Sequence, residues 1–414
     1  MFIIGIDLGN EYSQVCYYNF NTSEPESVVL SSSETQFKVQ TAVLKDKNRE
    51  NGWLAGDVAV SGSTLGEGVL FDKLIDKAKQ KDDIIIDDIE VSPVELLSVY
   101  FLYLLQYVTR AFGKDEKPDK ICITINKFDV DVITAIEEAF AAIGYSKNII
   151  EIISNTEAFV FYAISQEPSL WKMDNAMFEY TKEGLKYYQM LVLNDMGKRI
   201  VTTRITDYNG EIFGSGDADS IEDKLMEIAG DELSKRSVST IYLTGEGFEG
   251  EFSFDRFISL ICNRRRVFAG QNLYVKGACY CGYESLVGPK KDIIVGCHER
   301  ITTGIEMKIN DRGVDKILRM VKPGVNWHNA SCSYDFIIDN CDKLEFFLSP
   351  VLRKEKKRFE VSIGSFPIRE NKASRITVSI SFSSDRNARL SIYDRGFGEF
   401  VKSSNKVINE DILL

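Results

Sequence analysis

Histidine is nearly missing from this chain, with two residues in 414. That scarcity removes imidazole acid–base and metal chemistry from most of the molecule. Eight cysteines are scattered, and only Cys279 and Cys281 lie close together. One Cys-x-Cys does not make a ligand set, so reduced and mostly buried thiols in a cytoplasmic protein are expected. Positive charge is also short. A formal net charge of -12 argues against nucleic acid and against an anionic membrane surface as partners. Small-molecule phosphates are not excluded, because backbone N–H groups at a glycine turn can hold them. No cleavable leader is read, since the apolar run from Phe2 breaks at once into Asp7-Leu8-Gly9. The longest uncharged apolar run, Leu96 to Thr109, is too short to span a bilayer. It follows the helix-start signal Ser92-Pro93, so a buried helix is expected.

What is present is a long chain, 44% hydrophobic, enough for two or three domains with proper cores. Runs of strand length rich in β-branched or aromatic residues occur at 2–8, 14–19, 39–44, 120–125, 149–153, 188–194, 200–206 and 239–244. Helical spacing appears between them at 92–112, 130–143, 155–165, 219–234 and 253–261, which indicates an α/β class. An internal echo joins Phe2–Tyr18 to Gln189–Thr206: each runs strand, Asp-x-Gly turn, strand, with Asp195-Met196-Gly197 as the second turn. Two such units predict a duplicated lobe. Beyond residue 290 helix signals fade and alternation takes over, as in Lys343–Leu348, Phe359–Ile363 and Arg375–Phe382. Short alternating strands with turns such as Pro323-Gly324 predict an antiparallel β-sandwich. The basic stretch Arg353–Arg358 reads as a solvated loop.

The N-terminal region resembles the ATPase domain of the DnaK-type heat-shock chaperones, within the actin-like superfamily. Ile4–Ser13 resembles the first phosphate loop, Trp53–Ala59 the "IGD-x-A" element, and Val69–Ile75 the segment with the catalytic lysine, here Lys73. Ser92-Pro93-Val94-Glu95-Leu96 resembles the "SPEE" helix, Ile152–Tyr162 the "INEPTAAA" stretch, Ile241–Gly245 the adenosine loop, and Asn272–Ala278 the helix that closes the lobe. Asp292 to Glu306 follows the family's run from interdomain linker to its "LGIE" strand, and Phe366-Pro367, Arg375–Ser381 and Leu390–Asp394 resemble the end of its peptide-binding domain. The resemblance implies an actin-like, ribonuclease-H-like ATPase domain of two duplicated lobes over 1–288. An apolar linker at 289–300, a β-sandwich at 301–402 and a tail at 403–414 would follow.

It also implies a site for ATP or ADP with Mg²⁺. Asp7 and Asp195 would hold the hydrated metal, and Lys73 would be catalytic. Gly9, Asn10, Glu11, Tyr12, Gly197, Lys198, Gly245, Gly247 and Phe248 would surround the nucleotide. Departures are plain. The second loop reads Lys198-Arg199-Ile200 after Gly197 instead of a glycine nest, and Asn155 stands where the family has its catalytic glutamate. Glu157, two residues on, faces elsewhere on a helix. The interval from Asp195 to Gly245 lacks the family's inserted subdomain, and a β-domain without the family's helical lid is expected. Slow or lost hydrolysis is expected, with protein or extended peptide bound through the β-domain. Trp327, Leu344, Phe346 and Leu348 are the groove candidates, although Leu344 and Leu348 also fit ordinary core. The alternatives are a pseudo-ATPase scaffold without nucleotide and an actin-like ATPase.

Overall fold

The computed structural model describes residues 1–29, 37–47, 52–80, 82–86, 88–113, 116–195, 198–209, 217–249, 253–288, 293–351 and 355–414; the side chains of Asp195 and Lys198 are not among what it describes. Two compact units divide the chain: Met1–Leu191 with Arg204–Lys291, and Val192–Thr203 with Asp292–Leu414.

The first unit holds two lobes, except that Val192–Thr203, within lobe two, fall in the second unit. Lobe one contains β1 (Ile3–Leu8), β2 (Tyr12–Asn19), β3 (Glu24–Ser27), β4 (Val39–Gln40), β5 (Val43–Asp46), β6 (Trp53–Ala55), α1 (Asp57–Thr64), β7 (Gly68–Phe71) and α2 (Leu74–Ala78). It continues with β8 (Ile84–Ile86), β9 (Ile89–Val91), α3 (Pro93–Phe112), β10 (Lys120–Ile125), α4 (Val130–Ala142), β11 (Ile150–Ser154) and α5 (Asn155–Ser165). Its main sheet runs β11-β10-β1-β2-β3, with β10 parallel and β2 antiparallel to β1. The apolar run 96–109 lies inside α3, which begins with a Ser92 cap on the Glu95 N–H and buries Leu97, Tyr100, Phe101 and Leu104 in the lobe core. No helix among the described residues is long and apolar enough to cross a membrane.

Lobe two contains β12 (Asp174–Thr181), β13 (Gly184–Asp195), β14 (Lys198–Asn209), α6 (Ala218–Lys235), β15 (Val238–Thr244), α7 (Asp255–Ile261), β16 (Arg266–Ala269) and α8 (Leu273–Val287). Its strand order is β16-β15-β12-β13-β14, with β15 parallel and β13 antiparallel to β12. The two lobes therefore share one topology, and β12 is the counterpart of β1. This corrects the echo read in the sequence: Gln189–Thr206 covers the second and third strands of the lobe, not the first and second. Asp195 ends β13 at the far end from Gly184, where the strand meets β12, so its turn is not the counterpart of the Asp7-Leu8-Gly9 turn.

In the second unit, the apolar segment expected as a linker is described from residue 293 onward. It forms β17 (Ile293–Val295), paired in parallel with Arg199–Val201 of β14. The Gly296 N–H donates to Val201 O at 2.8 Å, and the Thr202 hydroxyl to Gly296 O at 2.8 Å. The rest is β18 (Thr303–Asp311), β19 (Val314–Val321), β20 (Cys332–Ile337), β21 (Lys343–Pro350), β22 (Lys357–Ser362), β23 (Arg375–Phe382), β24 (Asn387–Gly396) and β25 (Val407–Leu413). Two four-stranded antiparallel sheets, β19-β18-β21-β22 and β20-β23-β24-β25, share one apolar core. Residues 403–414, expected as a tail, include β25, which pairs with β24 and buries Ile412. Acidic residues at Glu410 and Asp411 hid the strand; Asp411 is held by Arg389 at 2.8 Å.

The groove candidates are corrected here as well. Leu344, Phe346 and Leu348 are buried in the core between the sheets, with Phe346 fully covered and its ring 5.3 Å from that of Phe359. Alternation on β21 sends this face inward, so these side chains present no surface to a peptide. Trp327 is partly buried against the same core.

Candidate functional site

The lobes meet at the ends of β1 and β12. Cross-strand register places Asp7 opposite Thr124 and Gln14, and Glu179 opposite Thr244 and Lys186. Glu179 thus takes the place that Asp195 was expected to fill. Asp7 is half-buried. Burial, then the negative charge of Glu179, push its carboxyl up to about 7, with Lys38 pulling the other way. Glu179 accepts a hydrogen bond from the Tyr188 hydroxyl at 2.8 Å.

A cleft of about 630 Å³ is lined by residues of both lobes, including Tyr12, Gln14, Lys38, Lys182, Gln271 and Asn272. Two ion pairs cross it: Lys38–Glu249 at 3.0 Å and Lys182–Glu11 at 3.2 Å. The turn after β12 is the counterpart of the Gly9 turn after β1, and its donors are engaged. The Lys182 N–H donates to Glu246 Oε1 at 3.0 Å, and the Glu183 N–H to Thr181 Oγ1 at 3.3 Å. Pairing with Glu11 raises the Lys182 ammonium pKa.

The first loop is compact. Gly9 donates to Tyr12 O at 3.1 Å, and a Cβ at Gly9 would meet that same carbonyl, so glycine is required by the turn itself. Asn10 Oδ1 accepts from the Asp76 N–H at 3.1 Å, which brings the start of α2 and its preceding residue, Lys73, beside this loop. Lys73 is exposed and left-handed at φ 49°. Asn155 is buried and accepts from the Thr124 hydroxyl at 2.8 Å. Glu157 forms a capping box with Ser154, which accounts for its orientation.

The glycine turn after β15 is filled by protein. Gly245 exchanges two hydrogen bonds with the Gln271 side chain, each 3.1 Å. Gly247 lies against the Tyr180 ring. Phe248 packs between Tyr180, Phe254 and Phe257, with ring centroids 5.6, 6.0 and 6.0 Å away. It belongs to an aromatic cluster rather than to an open adenine platform. Gly197 lies outside the described residues, and so do the side chains of Asp195 and Lys198.

A triphosphate with Mg²⁺ needs free N–H donors, free cations and carboxylates that reach metal-bound water. Here the second turn's donors and both cleft lysines are bound to protein carboxylates or hydroxyls. The described residues do not fit that group as they stand. No cluster of three or more metal-ligating side chains occurs among the described residues.

A model of a family of unknown function, DUF5716 C-terminal, matches residues 24–297. The chain belongs to that family. Its match takes in Lys38, Glu179, Lys182 and the glycine turn but begins after Asp7. A domain of unknown function, DUF8552, matches residues 300–414, the two-sheet region. No curated protein matches the chain.

Sequence reasoning missed Glu179 because the search followed Asp-x-Gly. The available signal was the hairpin Phe178-Glu179-Tyr180-Thr181-Lys182-Glu183-Gly184-Leu185, in which a short polar turn joins two alternating runs.

Proposed function

We propose that this chain is a non-hydrolysing, DnaK-like scaffold: an actin-like pair of lobes whose cleft is latched by side-chain ion pairs, joined to a β-domain that engages other proteins. The observation that supports this reading best is the second turn, where the Lys182 N–H and ammonium are both taken by carboxylates, Glu246 and Glu11. Asn155 adds to it, since an amide hydrogen-bonded to Thr124 cannot act as a carboxylate base. A reducing cytoplasmic setting suits eight cysteines that are all free thiols. The second reading, a slow nucleotide binder, is favoured by the place of Lys73 beside the Asn10 loop. Phosphate release from saturating Mg·ATP separates the two. The scaffold reading expects release at the buffer background. Turnover above it that disappears in Asp7→Ala contradicts the reading.

A further inference from the structure

Four of the eight thiols, Cys16, Cys122, Cys279 and Cys281, are buried and meet in lobe one although they are far apart in the chain. Cys16 on β2 and Cys122 on β10 are both register partners of Gly5 on β1, and Cys122 is also the partner of Glu151 on β11. Directly opposed residues share a face of the sheet, so Cys16, Gly5, Cys122 and Glu151 form one row across it. Helix α8 crosses that row. A Cβ on Gly5 would lie 2.8 Å from Cys16 Sγ and 2.9 Å from Cys279 Cβ, and one on Gly282 would lie 3.3 Å from Cys122 Cβ. These glycines let the helix settle onto the strands, which sets Cys279 against Cys16 and Cys281 against Cys122. The two pairs differ in their surroundings. Cys16 donates to Val275 O at 3.2 Å, inside the core. Cys281 donates to Glu151 Oε1 at 3.5 Å, and β11 is the edge of the sheet. There Glu151 also holds Lys120 at 3.3 Å and the hydroxyl of exposed Ser285.

We propose that Cys122 and Cys281 are a redox pair, which a peroxide oxidises to a disulfide that pins α8 to β10. A thiol reacts as its thiolate, and Glu151 is placed to accept the Cys281 proton. The Cys281 sulfur attacks one peroxide oxygen, the O–O bond breaks, and a sulfenic acid and one water result. Cys122 then attacks that sulfur, its proton leaves with the hydroxide as a second water, and the S–S bond forms. Two electrons pass from the two sulfurs to the peroxide. Burial raises the Cys122 thiol pKa, with the contact to Cys281 pulling the other way, so Cys122 suits the resolving role better than the attacking one. Helix α8 follows β16 of lobe two, so the bond ties the end of that lobe's chain to the sheet of lobe one. The inference is independent of what the cleft binds.

The test treats the full, folded chain with hydrogen peroxide, blocks the remaining thiols with N-ethylmaleimide and maps unreduced peptides by mass spectrometry. Peptides joined through Cys122 and Cys281 are expected, formed faster than any link between Cys16 and Cys279. The oxidised chain should unfold its lobes at least about 4 °C higher, and dithiothreitol should reverse the shift. Cys281→Ser and Cys122→Ser should each lose both link and shift, while Cys279→Ser keeps them. Alanine replaces serine in a variant that does not fold. No link in the folded chain, a link formed only in urea, or a link without a rise in melting temperature overturns the proposal. Oxidation of Cys281 that stops at a sulfinic acid with Cys122 still free overturns it as well.

Discussion

A half-buried carboxylate beside Glu179, with no hydrogen-bond donor among the described residues, holds its proton more tightly in the folded chain than in the unfolded one. For Asp7 the folded value is about 7, against roughly 3.9 for a free aspartate. Between those values the folded state binds more protons, so this residue's contribution falls as pH rises and its cost is fully present above about pH 7. Asp7→Asn removes the charge at constant shape. The variant should melt a few degrees above wild type at about pH 8, with the gap narrowing as pH is lowered toward about 4. Thermal denaturation across that range checks it, and a gap that stays constant or widens on acidification contradicts the assignment.

At the scale of elements, close backbone approach and strand alternation decide what can be moved. Helix α8 crosses α5 where a Cβ on Gly277 would run into the carbonyl of Ala158, and only glycine allows that approach. Phe346 on β21 is fully buried. Phe346→Ala should therefore destabilise the β-domain by about 3–5 kcal/mol, seen as an earlier urea transition of that unit. A variant as stable as wild type would restore Phe346 as a surface anchor. The helices were legible because long amphipathic runs carry their own signals. The Ser92-Pro93 start and the Ser154/Glu157 pair mark α3 and α5 almost to the residue. In lobe two the runs 188–194, 200–206 and 239–244 mark β13, β14 and β15, but the leading strand β12 was not legible. A strand buried on both faces, such as Ala176-Met177-Phe178, shows no alternation, and an Asp-x-Gly turn is too common to fix which hairpin leads a lobe. The site suffered for the same reason: the counterpart of Asp7 in lobe two was sought sixteen residues too late (179 against 195).

For the whole molecule, the turns after β1 and β12 hold equivalent places in two lobes of one topology, and Lys182 of the second pairs with Glu11 of the first. The DUF5716 C-terminal match over 24–297 covers the second turn and its carboxylate partner Glu246, and the two-sheet region carries its own match over 300–414. The proposed scaffold reading calls for a cleft that takes up no nucleotide. The measurement closest to this claim is a calorimetric titration of Mg·ATP into the full chain. No saturable heat is expected at nucleotide concentrations up to about 1 mM, which corresponds to a binding free energy weaker than about 4 kcal/mol. Saturable binding at micromolar nucleotide, lost in Asp7→Asn, would contradict it.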